Sequence, residues 1–120
     1  MGAIHVTVTL KSLAPGGGAY EADFLVDTGS TDCMAPATEL RRIGVLPRGK
    51  MAHELANGVI EEYEFGGAQI EFLGNVTWDR VIFGPDDVEP ILGVTALESV
   101  GITVDPANRT LRRLPAIPLK

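Results

Sequence analysis

Ile4, Val6, Val8 and Leu10 alternate with His5, Thr7 and Thr9. A period of two in β-branched and aliphatic residues predicts a strand. Ala14-Pro15-Gly16-Gly17-Gly18 breaks the pattern, and Tyr20, Ala22, Phe24 and Val26 resume it in a strand expected to pair back on the first. Residues 36–43 are mostly helix formers and Gly44 follows them, which predicts a short helix with a glycine stop. Lys50–Ala56 and Val59–Phe65 flank Asn57-Gly58, the dipeptide that best tolerates positive φ in a tight hairpin. Gly66-Gly67 predicts a further turn, into Ala68–Phe72, and Val76–Phe83 is another β-rich run. Gly84-Pro85-Asp86-Asp87 is a loop, Ile91-Leu92-Gly93 a short apolar run, and Thr95–Val100 a helix stopped by Gly101. Ile102–Val104 and Thr110–Leu114, joined by Asp105-Pro106-Ala107-Asn108, predict a last hairpin.

Fourteen glycines and eight prolines in 120 residues suit a domain of many tight turns, and hence an all-β fold with one or two short helices. The length fits one domain over 1–120, with its core over 4–114 and a proline-containing tail over 115–120. A formal net charge of −6 argues against general nucleic-acid binding, which needs cations to displace counterions. The basic residues Arg109, Arg112, Arg113 and Lys120 near the end fit a solvated last strand. A lone Cys33 excludes an intrachain disulfide and a cysteine-rich zinc site. No apolar run reaches the roughly 18–20 residues of a membrane span. The opening MGAIHVTVTL has no basic stretch and alternates like a strand, so no secretory leader is expected and the default location is a reducing cytoplasm.

The chemistry concentrates in Phe24-Leu25-Val26-Asp27-Thr28-Gly29-Ser30-Thr31, where a strand delivers a carboxylate into a turn of small and hydroxylated residues. Gly29 lets the backbone approach and frees its N–H for the Asp27 carboxylate. Ser30 is expected to donate its hydroxyl to the outer carboxylate oxygen. Both bonds would favour the ionised form. Thr28 is small enough to be buried behind Asp27. Taken alone, the tetrapeptide is also compatible with an Asx-type turn after a strand.

Hydrophobic-hydrophobic-Asp-Thr-Gly-Ser after a β-hairpin resembles the active-site loop of aspartic proteases. Ile91-Leu92-Gly93, a short helix and Ile102-Thr103-Val104-Asp105-Pro106 resemble the glycine segment that supports that loop in retropepsin-like members. The Asn57-Gly58 hairpin lies where such proteins carry a flap. The chain thus resembles the single-domain retropepsin-like aspartic proteases of cellular organisms over nearly its whole length. That resemblance implies a closed barrel-like acid-protease subunit and a symmetric homodimer, since one chain has one Asp-Thr-Gly and the chemistry needs two carboxylates sharing a proton. It further implies that Asp27, Thr28, Gly29 and Ser30 form the catalytic loop and that Gly93 supports it. Ala56, Asn57, Gly58 and Val59 of the flap, with Ile91 and Leu92, would bind an extended peptide or protein substrate. No metal or cofactor is implied. The alternative is a non-catalytic dimerisation or peptide-binding module that keeps the loop as a structural element.

Two departures from the retroviral pattern stand out. Val94 follows Gly93, where retroviral members place soon after it an Arg that pairs with an Asp just beyond the catalytic loop. Asp32 must then find another partner or none. Pro115 and Pro118 prevent the C-terminus from supplying a regular central strand to an intersubunit sheet. Elsewhere the ordinary readings are expected. Cys33 is a small buried hydrophobe, His5 and His53 are solvated or hydrogen-bonded, and Asp86, Asp87 and Glu89 make an acidic loop. Trp78 is core, while Glu61, Glu62 and Glu64 line the wet side of the flap strand and would disfavour acidic substrates.

Overall fold

In the computed structural model, which describes residues 3–119, the period-two segments are strands. β1 (His5–Lys11) and β2 (Ala19–Asp27) form an antiparallel hairpin with Val6 opposite Phe24 and Val8 opposite Ala22. On its wet face Thr7 donates to Asp23 Oδ1 at 3.0 Å. β3 (Cys33–Pro36) was not legible as a strand, because four residues are too few to show a period. α1 (Ala37–Ile43) buries Leu40 and Ile43 and ends at Gly44, whose φ of +94° turns its N–H onto the Arg41 carbonyl. β4 (Gly49–Glu54), β5 (Ile60–Phe72), β6 (Asn75–Gly84) and β7 (Ile91–Gly93) follow. α2 (Val94–Ser99), β8 (Ile102–Asp105) and β9 (Thr110–Arg113) complete the chain.

The turn expected at Gly66-Gly67 does not exist. β5 runs straight through it, with Gly66 opposite Val81 and Gly67 opposite Arg80 of β6. Gly66 is there for close approach: a Cβ would lie 2.5 Å from the Leu46 carbonyl oxygen. The chain reverses instead at Leu73-Gly74, both with positive φ.

The ring order is β1-β2-β7-β3-β6-β5, closed by pairing of β1 with β5, where Val8 faces Phe72 and Leu10 faces Ile70. β2–β7 and β3–β6 are parallel pairs and the rest antiparallel, so the fold is a closed six-stranded barrel with two short helices. β4 hangs outside the ring on the first half of β5, and β8–β9 form a separate two-stranded sheet. One core fills the barrel, built on Val8, Leu10, Phe24, Ile70, Val81, Leu92, Leu97 and Ile102. Each such side chain contributes about 1.5–3 kcal/mol by leaving water.

Trp78, expected in the core, is 60% exposed. Thr77 and Val81 point inward on β6, so the alternation puts Val76 and Trp78 outside. Cys33 is buried as expected. His5 pairs with Glu89 at 2.9 Å, and Asp86 accepts the Thr38 N–H. Arg112 and Arg113 are exposed on β9, and Lys120 lies outside the described residues. Among the described residues, no helix is long and apolar enough to cross a membrane.

Candidate active site

β2 delivers Asp27 to the barrel's end beside β7, with Leu25 opposite Ile91, Val26 opposite Leu92 and Asp27 opposite Gly93. The turn then closes on the carboxylate. Gly29 N–H donates to Asp27 Oδ1 at 3.0 Å, and Ser30 N–H donates to the Asp27 carbonyl at 3.1 Å. The Ser30 hydroxyl does not reach the carboxylate as expected. It donates to the Asp32 carbonyl at 2.8 Å, spending its single proton on bracing the loop. Thr28 is exposed rather than buried behind Asp27. It borders an apolar hollow of about 360 Å³ formed with Val94, Leu97, Ile102, Val104 and Pro106.

The Gly93 segment holds the Asp27 loop from below. Val94 N–H donates to the Ser30 carbonyl at 2.8 Å and Thr95 N–H to the Thr31 carbonyl at 3.2 Å. Gly93 N–H donates to Cys33 Sγ at 3.4 Å. A side chain at Gly93 would collide with the backbone of Thr31 and Asp32. Burial, offset in part by that hydrogen bond, pushes the Cys33 thiol up to about 12, so it stays protonated and inert.

Over the loop stands the β4–β5 hairpin. Its strands pair from Gly49–Phe65 to Glu54–Ile60, so the connection is five residues, 55–59, and not the two-residue Asn-Gly turn expected. Leu55 N–H bonds the Val59 carbonyl, Gly58 N–H bonds the Leu55 carbonyl, and Asn57 Oδ1 accepts the Val59 N–H. Between hairpin and loop lies a cleft of about 620 Å³. Asp27, Gly29 and Ser30 line its floor, with Met34 and Ile91. Leu55, Ala56, His53, Glu54 and Tyr63 come from the hairpin, and Pro85 and Val88 from the loop after β6.

The expected substrate residues divide accordingly. Ala56 and Ile91 line the cleft. Asn57, Gly58 and Val59 are exposed at the hairpin tip and are not among its walls. Leu92 is fully buried and points the other way into the core, because neighbours on a strand face opposite sides. Met34, His53, Leu55 and Tyr63 were missed. Met34 lies on the unforeseen β3, and His53 carried no recognisable motif.

Asp32 is the least exposed acidic residue among the described residues, at 8%. With Val94 rather than an Arg next to Gly93, it sits 3.9 Å from Arg80 Nε of β6 and 3.7 Å from His53 Nε2 of β4. Asp79, beside Arg80, is held above the usual carboxylate range by burial and, secondarily, by the charge of Asp32.

No family model and no curated protein sequence matches the chain. Solved structures do. The chain superposes on the retroviral protease-like domain of Ddi1 from Leishmania major with a TM-score of 0.57 at 17% identity, covering 95% of this chain and 90% of that one. It superposes on a retropepsin-like aspartic protease from Rickettsia conorii with a TM-score of 0.51 at 18% identity, covering 86% and 84%. The closed barrel, the loop at the end of β2 and the hairpin above it are thus assembled in the retropepsin-like fold.

Proposed function

We propose that the chain is the subunit of a homodimeric aspartic endopeptidase, with the whole of 1–120 as its single protease domain. The observation that carries the reading is Asp27. Its carboxylate ends a strand, accepts the Gly29 N–H, and lies on the floor of a cleft roofed by a hairpin. One chain supplies one such carboxylate, and peptide hydrolysis of this kind needs two about 3 Å apart, where both cannot ionise together. A second copy supplies the other. Exposed Thr28 and the apolar hollow beside it are surfaces suited to that copy.

In the dimer the ionised Asp27 takes a proton from water as the water attacks the scissile carbonyl. The protonated Asp27 of the partner subunit donates to the carbonyl oxygen and stabilises the tetrahedral intermediate. The hairpin closes over an extended peptide and excludes solvent. Ala56, Leu55, Met34 and Ile91 offer apolar contact, and Asn57, Gly58 and Val59 reach the peptide when the tip descends. The chemistry draws on no metal and no cofactor.

The test combines mass in solution with cleavage of a mixed peptide library from pH 3 to 8, with and without a statine-type inhibitor. A dimer with inhibitor-sensitive cleavage that Asp27→Asn abolishes, at unchanged mass and melting, is expected. Unchanged cleavage in Asp27→Asn refutes the mechanism. A stable dimer that binds peptides without cutting them at any pH establishes a peptide-binding module instead.

A further inference from the structure

The cluster around Asp32 joins the Asp27 loop to the hairpin that covers it. Arg80 approaches Asp32 Oδ1 with Nε at 3.9 Å. The same guanidinium lies 4.8 Å over the Phe65 ring of β5, and its Nη1 is 3.0 Å from Met51 Sδ of β4. One cation therefore touches the loop carboxylate and both strands of the hairpin. His53 completes the arrangement. Its Nδ1 lies 3.1 Å from the Met51 carbonyl, which can only accept, so Nδ1 carries a proton. Its Nε2 is buried, has no hydrogen-bond partner, and lies 3.7 Å from Asp32 Oδ2.

In the neutral ring, Nε2 is a bare lone pair facing a carboxylate. In the cation it is a donor facing one. A charge-assisted bond of about 2.7–2.9 Å needs the hairpin to descend by about 1 Å. Other charged groups lie near this cluster. Asp79 interacts with both Asp32 and Arg80. Glu61 stands opposite His53 on β5 and accepts the hydroxyl proton of Tyr63, whose ring is 6.1 Å from the imidazole. Glu54 and Asp27 share the cleft.

We infer that His53 is a positioning residue. Protonated, it bonds Asp32 and latches the hairpin onto the Asp27 loop; neutral, it lets the hairpin lift. The consequence for turnover rests on the peptidase reading, whereas the latch does not. By linkage, a closed state that prefers the proton is favoured as pH falls and lost as pH rises. KM is therefore expected to rise with pH.

NMR of the full chain carrying Asp27→Asn, titrated over pH 5–8, reads the latch without turnover. The His53 ring is expected to titrate together with the amides of Leu55 in the hairpin and Gly29 in the loop. Both amide responses should vanish in His53→Gln and in Asp32→Asn. A His53 titration that neither amide follows overturns the latch, as does a neutral ring protonated on Nε2. With Asp27 intact, His53→Gln should make the rise of KM with pH less steep than in the parent, and an identical profile also overturns the latch. Absence of all cleavage refutes the peptidase reading while the NMR titration still decides the latch.

Discussion

Replacing Gly93 with alanine tests whether the Asp27 loop is held by close backbone packing. The built Cβ lies 2.5 Å from the Asp32 carbonyl oxygen, 2.6 Å from its carbon and 2.8 Å from the Thr31 oxygen. These are backbone atoms that no rotamer change can move. Restoring ordinary contact at 3.4 Å requires the two segments to part by 0.9 Å. That separation falls on the Val94–Ser30 and Thr95–Thr31 hydrogen bonds. Overpacking costs about 1–3 kcal/mol. Two weakened bonds cost about 0.5–1.5 kcal/mol each. The backbone at φ −83° and ψ 167° is open to alanine, which returns about 0.4–1 kcal/mol through the unfolded chain. The net loss is about 3 kcal/mol, or about 12 °C in melting temperature at roughly 4 °C per kcal/mol. Thermal unfolding followed by circular dichroism measures it, with Gly58→Ala as the comparison. Gly58 has a φ of +84° and open space around it, so alanine there costs only about 1–2 kcal/mol of backbone strain. A Gly93→Ala protein that melts within about 4 °C of the parent refutes the packing argument.

Other perturbations separate roles that the sequence had merged. Leu92→Ala should cost about 2–5 kcal/mol, because the side chain is fully buried, without changing cleavage preference. Ile91→Ala, in the cleft wall, should instead shift the profile of peptides cut; chemical denaturation and library cleavage distinguish the two. Cys33 should resist an aromatic disulfide reagent at pH 8 until the protein unfolds. Its thiol keeps its proton to about 12 when folded and loses it from about 9.0 when unfolded. Stability should therefore be intact below pH 9 and fall by about 1.4 kcal/mol per pH unit above it. Tyr20 and Tyr63, also raised, add to the fall at higher pH. Denaturation from pH 8 to 11 should show a shallower decline in Cys33→Ala, and an identical slope would contradict the burial account.

The strands that alternate cleanly, β1 and β2, were legible with nearly their final bounds, as was the helix ended by Gly44. Their burial is one-sided, so period reports face. Gly66 misled because one residue type serves two purposes: it permits a turn, and it permits contact with the Leu46 backbone, and only the folded chain shows which. Trp78 is a large apolar residue that usually lies in a core, but on β6 it sits one position from inward Thr77 and three from inward Val81, on the outer face. In the site, Asp27 and Gly29 could be read from local spacing, since their hydrogen bond spans two residues. Asp32, His53 and Arg80 could not, because their grouping depends on the pairing of β4 with β5 and of β5 with β6. Ser30 competes for two nearby acceptors, and spacing alone does not choose between Asp27 and Asp32.

The pairing of Asp27 with Gly93 also sets an order of events during synthesis. Gly93 follows Asp27 by 66 positions, and β1 waits nearly as long for β5. At 5–20 residues per second, about 3–13 s pass between translation of the carboxylate and translation of the segment that braces it. Until then the β1–β2 hairpin has no β7 and no closed barrel, and the Asp27 loop lacks the Val94 and Thr95 donors. Pairings this distant also place the chain among slow folders, in the millisecond-to-second range. The nascent chain therefore carries an incomplete cleft, and the Asp27 site matures only after the Gly93 segment has been made.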